Sequence, residues 1–261
     1  MRAMDVSQYL ARLQYFEPLE PDAQTLRGLH LAHMLHVPFE NLDIGLRRPI
    51  RLEQRALWEK LVKQGRGGFC YELNGMFAWL LEQTAFQVSY LNARVYNKEG
   101  NLGMDFDHLA LLVQIPGQSG RWLVDVGFGD SFNEPLNFEH PGEQAQGLRA
   151  YRLEQMPDGF NVWQKSYEGI WKRQYFFDLQ PRHFPADYEV ACHYHQTSPA
   201  SSFTRGSIIS KATPTGRVSL EDGWFILTQD GRRSEQPIQD QNEYNALLKQ
   251  YFNISLSRES S

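Results

Sequence analysis

One of the chain's two cysteines, Cys70, closes the run Gly65-Arg66-Gly67-Gly68-Phe69-Cys70. Directly behind it Leu73, Phe77, Leu80, Leu81 and Thr84 recur at spacings of three and four, which predicts a helix starting at the cysteine. A thiol at that position sits near the positive end of a helix dipole, among N–H groups with no intrahelical acceptor. Both effects favour the nucleophilic thiolate, and the glycines would let the backbone approach whatever binds above the sulfur. The plainer alternative is a core cysteine, since this residue type is among the most often buried.

Two downstream residues extend the chemistry. His108 stands at the mouth of an apolar run, Leu109-Ala110-Leu111-Leu112-Val113, and Asp125 lies inside a second, Trp122-Leu123-Val124-Asp125-Val126. A carboxylate among such neighbours is costly unless paired, and a histidine in need of orientation is its natural partner. Cysteine, histidine and aspartate on separate elements make a nucleophile, a base and an orienting group. A capped strand end for His108 and a turn cap for Asp125 are the competing explanations. Pro116-Gly117-Gln118-Ser119-Gly120 predicts a hairpin loop between the two runs. Simple pairing across it sets His108 opposite roughly residue 128, with Asp125 on the other face. A bulge, a loop-borne His108 or a different pairing partner would each bring the side chains together, and the sequence leaves these three open.

The elements around these residues change character twice. Up to about residue 85 the pattern is helical, with Asp5 and Asp22 as N-caps, a third helix around Ala56 to Val62, and the Cys70 helix fourth. From about 86 to 180 short β-rich runs dominate: Val88 to Val95, Leu109 to Ile115, Trp122 to Val126, Tyr151 to Leu153 and Gly169 to Phe177. Beyond Pro181 and Pro185 the runs Ser207 to Lys211, Gly216 to Leu220 and Trp224 to Leu227 read as strands. A helix follows near Asn242 to Phe252, and Ser255 to Ser261 as a frayed tail.

Composition sets bounds. The 261 residues suffice for two or three subdomains, and a net charge of −5 argues against electrostatically driven nucleic-acid binding. Two cysteines leave no disulfide framework once one is assigned to chemistry. Neither a leader-like apolar segment nor a run of membrane-spanning length is present in the sequence, so a soluble cytoplasmic enzyme is expected. His30, His33 and His36 recur every three residues and read as helix-surface or helix-end positions. His193 and His195 flank a strand-like run beside Cys192. No paired zinc spacing accompanies them, so no metal is expected, and Cys192 is expected to be a buried, idle thiol.

The motifs together resemble a known family, the arylamine N-acetyltransferases of prokaryotic type. His36-Val37-Pro38-Phe39-Glu40-Asn41-Leu42-Asp43 is similar to its PFENLD signature, and Arg66 to Cys70 with Glu72 and Asn74 to its nucleophile motif. His108-Leu109 and Asp125-Val126-Gly127-Phe128-Gly129 match its histidine and DxGFG segments. Thr197 to Phe203 resembles its SPxSxF stretch. The resemblance implies an α+β fold with a cysteine-protease-like catalytic core: a helical bundle over 1–85, a β-barrel over 86–185 and an α/β lid over 186–261. It places a catalytic triad on Cys70, His108 and Asp125, with Phe39, Val95 and Phe128 around the acceptor ring. Thr213, in a TPxG-like stretch, would contact the coenzyme, and Arg12 and Glu40 would be a supporting charge pair. No cofactor is held permanently. Acetyl-coenzyme A is the implied co-substrate and an arylamine or arylhydrazine the acceptor, with an acetyl-cysteine intermediate and ping-pong kinetics. A papain- or transglutaminase-like hydrolase, with Gln64 as a conceivable oxyanion donor, and a non-catalytic aromatic-binding scaffold are the rivals. Oligomeric state is left open.

Overall fold

The computed structural model describes residues 4–256. Helix α1 (Val6–Leu13) starts where the Asp5 carboxylate accepts the Ser7 N–H, and α2 (Ala23–His36) where Asp22 accepts that of Thr25. Short α3 (Leu42–Gly45) and α4 (Gln54–Trp58) follow, and α4 continues into a π-helical segment, Glu59–Lys63, where one expected helix is thus split in two. Helix α5 (Cys70–Gln83) is buried on all sides from Cys70 to Leu81. Its three-and-four apolar spacing understates this, because α5 is sandwiched. One core joins it to Tyr9, Leu13, Leu26 and Leu29 of the first helices and to Leu109, Leu111, Val113 and Val124 of the sheet.

Strands β2 (Gln87–Val95), β3 (His108–Gln114), β4 (Arg121–Val124), β5 (Leu136–Asn137), β6 (Gln144–Gln146), β7 (Arg149–Met156), β8 (Gly159–Lys165) and β9 (Trp171–Phe177) form one antiparallel sheet. Its order is β5-β4-β3-β2-β9-β8-β7-β6. The sheet curls into a nearly closed barrel whose seam is tied by side chains. Gln144 accepts from the Asn137 N–H and donates to its carbonyl, while Gln146 bridges Asn133 and Glu134. The barrel interior packs Leu91, Leu123, Phe132, Val162, Tyr175 and Phe177.

A second sheet has the order β1-β10-β11-β12-β13, with β1 (Phe39–Glu40), β10 (Ile208–Thr213), β11 (Gly216–Glu221), β12 (Trp224–Gln229) and β13 (Arg232–Pro237). Strand β1 comes from the N-terminal third and pairs with β10, so this sheet straps the first part of the chain to the last. Helices α6 (Glu189–Thr197) and α7 (Ser202–Arg205) precede it, and α8 (Gln241–Phe252) packs Leu248 and Phe252 on Ile209, Val218 and Leu220. The strand-like run around Cys192 is therefore helical: Ala191, Cys192 and His195 share one buried face of α6. Strand β13 escaped sequence reading because all six of its residues are exposed, so it has no apolar alternation. The expected tail lies largely beyond the described residues.

Candidate active site

Cys70 is the first residue of α5, and its surroundings fix that end of the helix. The Phe69 N–H donates to Glu72 Oε2 at 3.1 Å, capping the helix, and Glu72 Oε1 meets Lys60 Nζ at 2.7 Å. Lys60 also reaches Asp43 at 2.7 Å, and Arg66 joins Asp43 at 2.9 Å to Glu40 at 2.8 Å. This buried chain of charges ties the helix start to the Phe39–Asp43 stretch. Arg12 is not Glu40's partner, as the resemblance implied. Its guanidinium instead caps backbone carbonyls of His36, Leu61 and Gly65. Nor do the glycines before Cys70 make room for a ligand: a Cβ on Gly67 would lie 1.9 Å from the Pro38 carbonyl oxygen. They let this loop pair with the β1 segment, where the Glu40 N–H donates to the Gly68 carbonyl at 2.9 Å.

His108 begins β3, and its Nε2 lies 2.7 Å from Asp125 Oδ2. An ionised carboxylate only accepts, so Nε2 carries a proton and Nδ1 is the ring nitrogen left to exchange one. Asp125 Oδ1 accepts from Asn74 Nδ2 at 2.9 Å and from the Gly127 N–H at 3.0 Å. Strands β3 and β4 pair Gln114 with Arg121 and Leu111 with Val124, and the ladder then stops. Continued to the strand mouth, this register sets His108 opposite residue 127, one position from the sequence expectation. That single step returns Asp125 to the His108 face. His108 is in a strand, where its ladder partner is Ala93 of β2, and Asp125 is the residue that leaves the β3–β4 ladder. Asn74 holds it there, bonding also to the Leu109 carbonyl and the Val126 N–H.

The Leu109 backbone N–H faces the Cys70 sulfur closely enough to lower its pKa, and the thiol shares a cavity with His108. Burial pushes that thiol well above its ordinary pKa, and the Asp125 and Asp107 carboxylates push the same way, against the Leu109 donor. The pull of the helix N-terminus towards a thiolate is thus opposed by burial of the sulfur. Asp125 itself, although fully buried, is held below the usual carboxylate range by His108, Asn74 and Gly127. Cys70, His108, Phe39, Val95 and Phe128 all line one cavity of about 400 Å³. The Phe128 ring meets His108 edge-on at 5.1 Å, aimed there by a bend whose Gly127 could not carry a Cβ, 2.8 Å from the Cys70 Cα.

Residues 22–261 match a family model described as N-acetyltransferase. An arylamine N-acetyltransferase of Mycolicibacterium smegmatis is 36% identical over 233 residues, 88% of this chain and 84% of that one. The chain belongs to the arylamine N-acetyltransferase family. The solved structure of the Mycobacterium marinum arylamine N-acetyltransferase superposes with a TM-score of 0.90 at 30% identity, covering 96% of this chain and 93% of that one. The same Mycobacterium marinum enzyme solved in complex with CoA superposes at 0.89, with the same coverage and identity. The family's α+β architecture of helices, barrel-like sheet and second sheet is the one described above.

Within this acetyltransferase framework the remaining residues fall into place unevenly. Thr213 does not line the Cys70 cavity. It opens on a separate hollow of about 320 Å³ beside Arg149, Tyr167 and Arg217, on the other side of the turn from Phe128 to Asp130. Gln64 is exposed and outside the cavity, which removes the hydrolase reading's oxyanion donor. His30 and His33 are fully buried rather than on a helix surface. His30 Nδ1 bonds the Asn133 carbonyl at 2.8 Å, and its Nε2 accepts the Asp125 N–H at 3.4 Å, so it supports the carboxylate from behind. It was findable as the α2 position next to Leu29 and one turn after Leu26. Asn74 was findable too, as the polar side chain one turn behind Cys70. Burial pushes the Cys192 thiol up to about 12. Among the described residues no group of three or more His, Cys, Asp or Glu is arranged to hold a metal ion, and no helix is long and apolar enough to cross a membrane.

Proposed function

We propose that the protein transfers the acetyl group of acetyl-coenzyme A to arylamines or arylhydrazines through an acetyl-Cys70 thioester. The observation that carries this reading is the Cys70 thiol in the same cavity as a His108 whose Nε2 lies 2.7 Å from Asp125 Oδ2. His108 Nδ1 takes the thiol proton as sulfur attacks the thioester carbonyl. The bond from that carbon to the coenzyme sulfur breaks, and the departing thiolate recovers the proton from the imidazolium. Exchange of one thioester for another keeps the acetyl group activated.

An arylamine then attacks acetyl-Cys70. Its nitrogen is weakly basic and therefore unprotonated at neutral pH. His108 takes its proton, the carbon–sulfur bond breaks, and the proton returns to Cys70. The N–H groups of Cys70 and Tyr71, first in α5 and without intrahelical acceptors, would stabilise the tetrahedral oxyanion. Phe39, Val95 and Phe128 supply an apolar wall for the acceptor ring. A coenzyme contact at Thr213 requires the coenzyme to leave the cavity over the turn from Phe128 to Asp130.

Mixing with acetyl-coenzyme A alone tests the covalent step. Coenzyme A should appear in a burst of about one equivalent per site, with the acetyl group on Cys70 by mass spectrometry. Addition of an arylamine should restart release, and double-reciprocal plots should be parallel. Intersecting lines with no burst and no adduct would mean direct transfer in a ternary complex.

A further inference from the structure

The cavity that holds Cys70 is anionic. Asp107, Glu221 and Asp222 line it, and among the described residues no lysine or arginine does. Asp107 is the least exposed of the three carboxylates. Its Oδ2 accepts the Val95 N–H at 3.3 Å, and its Oδ1 lies 3.2 Å from Nε2 of His195. His195 comes from α6, is buried, and is anchored by Nδ1 on Ser201 Oγ at 3.2 Å with its ring against Tyr71 and Phe203. Its Nε2 has no aligned hydrogen-bond partner although it is shielded from solvent and its side chain lines the cavity. Neither residue belongs to the Cys70–His108–Asp125 set.

We infer that this cavity selects uncharged or cationic arylamines and disfavours aryl carboxylates, with Asp107, steadied by His195, as the specificity-determining residue. The inference rests on the acceptor reading above and names the acceptor class. The cavity is about 400 Å³ and Asp107, Glu221 and Asp222 all line it, while charges act over a screening length of about 10 Å. Partial burial strengthens the effect relative to water. A benzoate bound here would meet carboxylates and no lysine or arginine, which is discrimination by repulsion. An amide would instead offer N–H donors to Asp107, and an amidinium a full opposite charge.

Three acceptors of one shape test this: 4-aminobenzamidine, 4-aminobenzamide and 4-aminobenzoate. Their amines differ in intrinsic reactivity, but that difference cancels when each is compared between wild type and Asp107→Asn. The ratio of kcat/KM for the amidine over the benzoate should fall by about tenfold or more in the variant, mostly through KM. Asp222→Asn, on an exposed turn where Oδ1 can still accept the Ser207 N–H, should shift the ratio the same way by less. Dissociation constants of the three compounds without acetyl-coenzyme A should follow the same order. A ratio unchanged in both variants, or dissociation constants that rank the benzoate as the tightest binder, would overturn the inference. Loss of the coenzyme A burst would instead sink the acetyl-cysteine reading, and the dissociation constants would still decide the charge preference.

Discussion

Replacing Asp125 by Asn should disable acetylation of Cys70 while leaving the fold in place. The carboxylate has two separate tasks. Oδ1 takes the Asn74 and Gly127 donors, and an asparagine oxygen turned that way keeps both. The amide nitrogen then faces His108, where the wild-type Oδ2 stands 2.7 Å from Nε2. Two donors cannot share that contact, so the imidazole moves its proton to Nδ1 and presents a donor where a base is required. The imidazolium also loses a counter-charge. At an effective dielectric of about 20, unit charges at this separation attract by about 6 kcal/mol, which caps the electrostatic part of the loss. A fall of about 10² to 10⁴-fold is expected, the range for removal of a positioned general base. The assay is single-turnover release of coenzyme A in a stopped-flow instrument, with the acetyl adduct followed by intact mass and the melting temperature as the folding control. A folded Asn variant that acetylates Cys70 within about threefold of the wild-type rate would refute the assigned roles.

Two further perturbations test the support of the site. Arg66→Met leaves the fully buried Glu40 without its cation, and Asp43 with Lys60 alone, so unfolding free energy should drop by about 3–5 kcal/mol in denaturant titration. Adding Glu40→Gln should restore part of it, and a loss below about 1 kcal/mol would show the network to be energetically idle. His30, held near a pKa of about 4 by burial, binds no proton in the folded state between there and its ordinary 6.5. Its contribution to stability is thus present above pH 6.5 and lost as pH falls towards 4, on the order of 3 kcal/mol at about 1.4 kcal/mol per pH unit. His30→Gln, which can donate to Asn133 and accept from Asp125, should flatten the acid limb of the stability profile. A variant with the same acid slope as wild type would contradict this assignment.

The sequence by itself determined that Cys70 opens a helix and that His108 and Asp125 stand on apolar strand-like runs. The cysteine closing a glycine-rich run, the helical spacing behind it, a histidine at the mouth of one apolar run and an aspartate inside another are local patterns, legible because each depends on near neighbours. The caps at Asp5 and Asp22 are of the same kind. What only the tertiary structure decided depends on residues far apart in the chain. Whether His108 meets Asp125 turned on one register step and on Asn74, a helix residue that draws the carboxylate out of its ladder. The partner of Glu40 proved to be Arg66 rather than Arg12, since both cations lie near the loop and only packing separates them. Helix α6 and the buried His195 were hidden because aromatic and histidine residues carry weak helical preference, and burial against Tyr71 and Phe203 supplies the stability instead. The opposing influences on the Cys70 thiol divide in the same way. The helix dipole is a local effect visible in sequence, whereas desolvation and the fields of Asp125 and Asp107 exist only once the strands close over the sulfur.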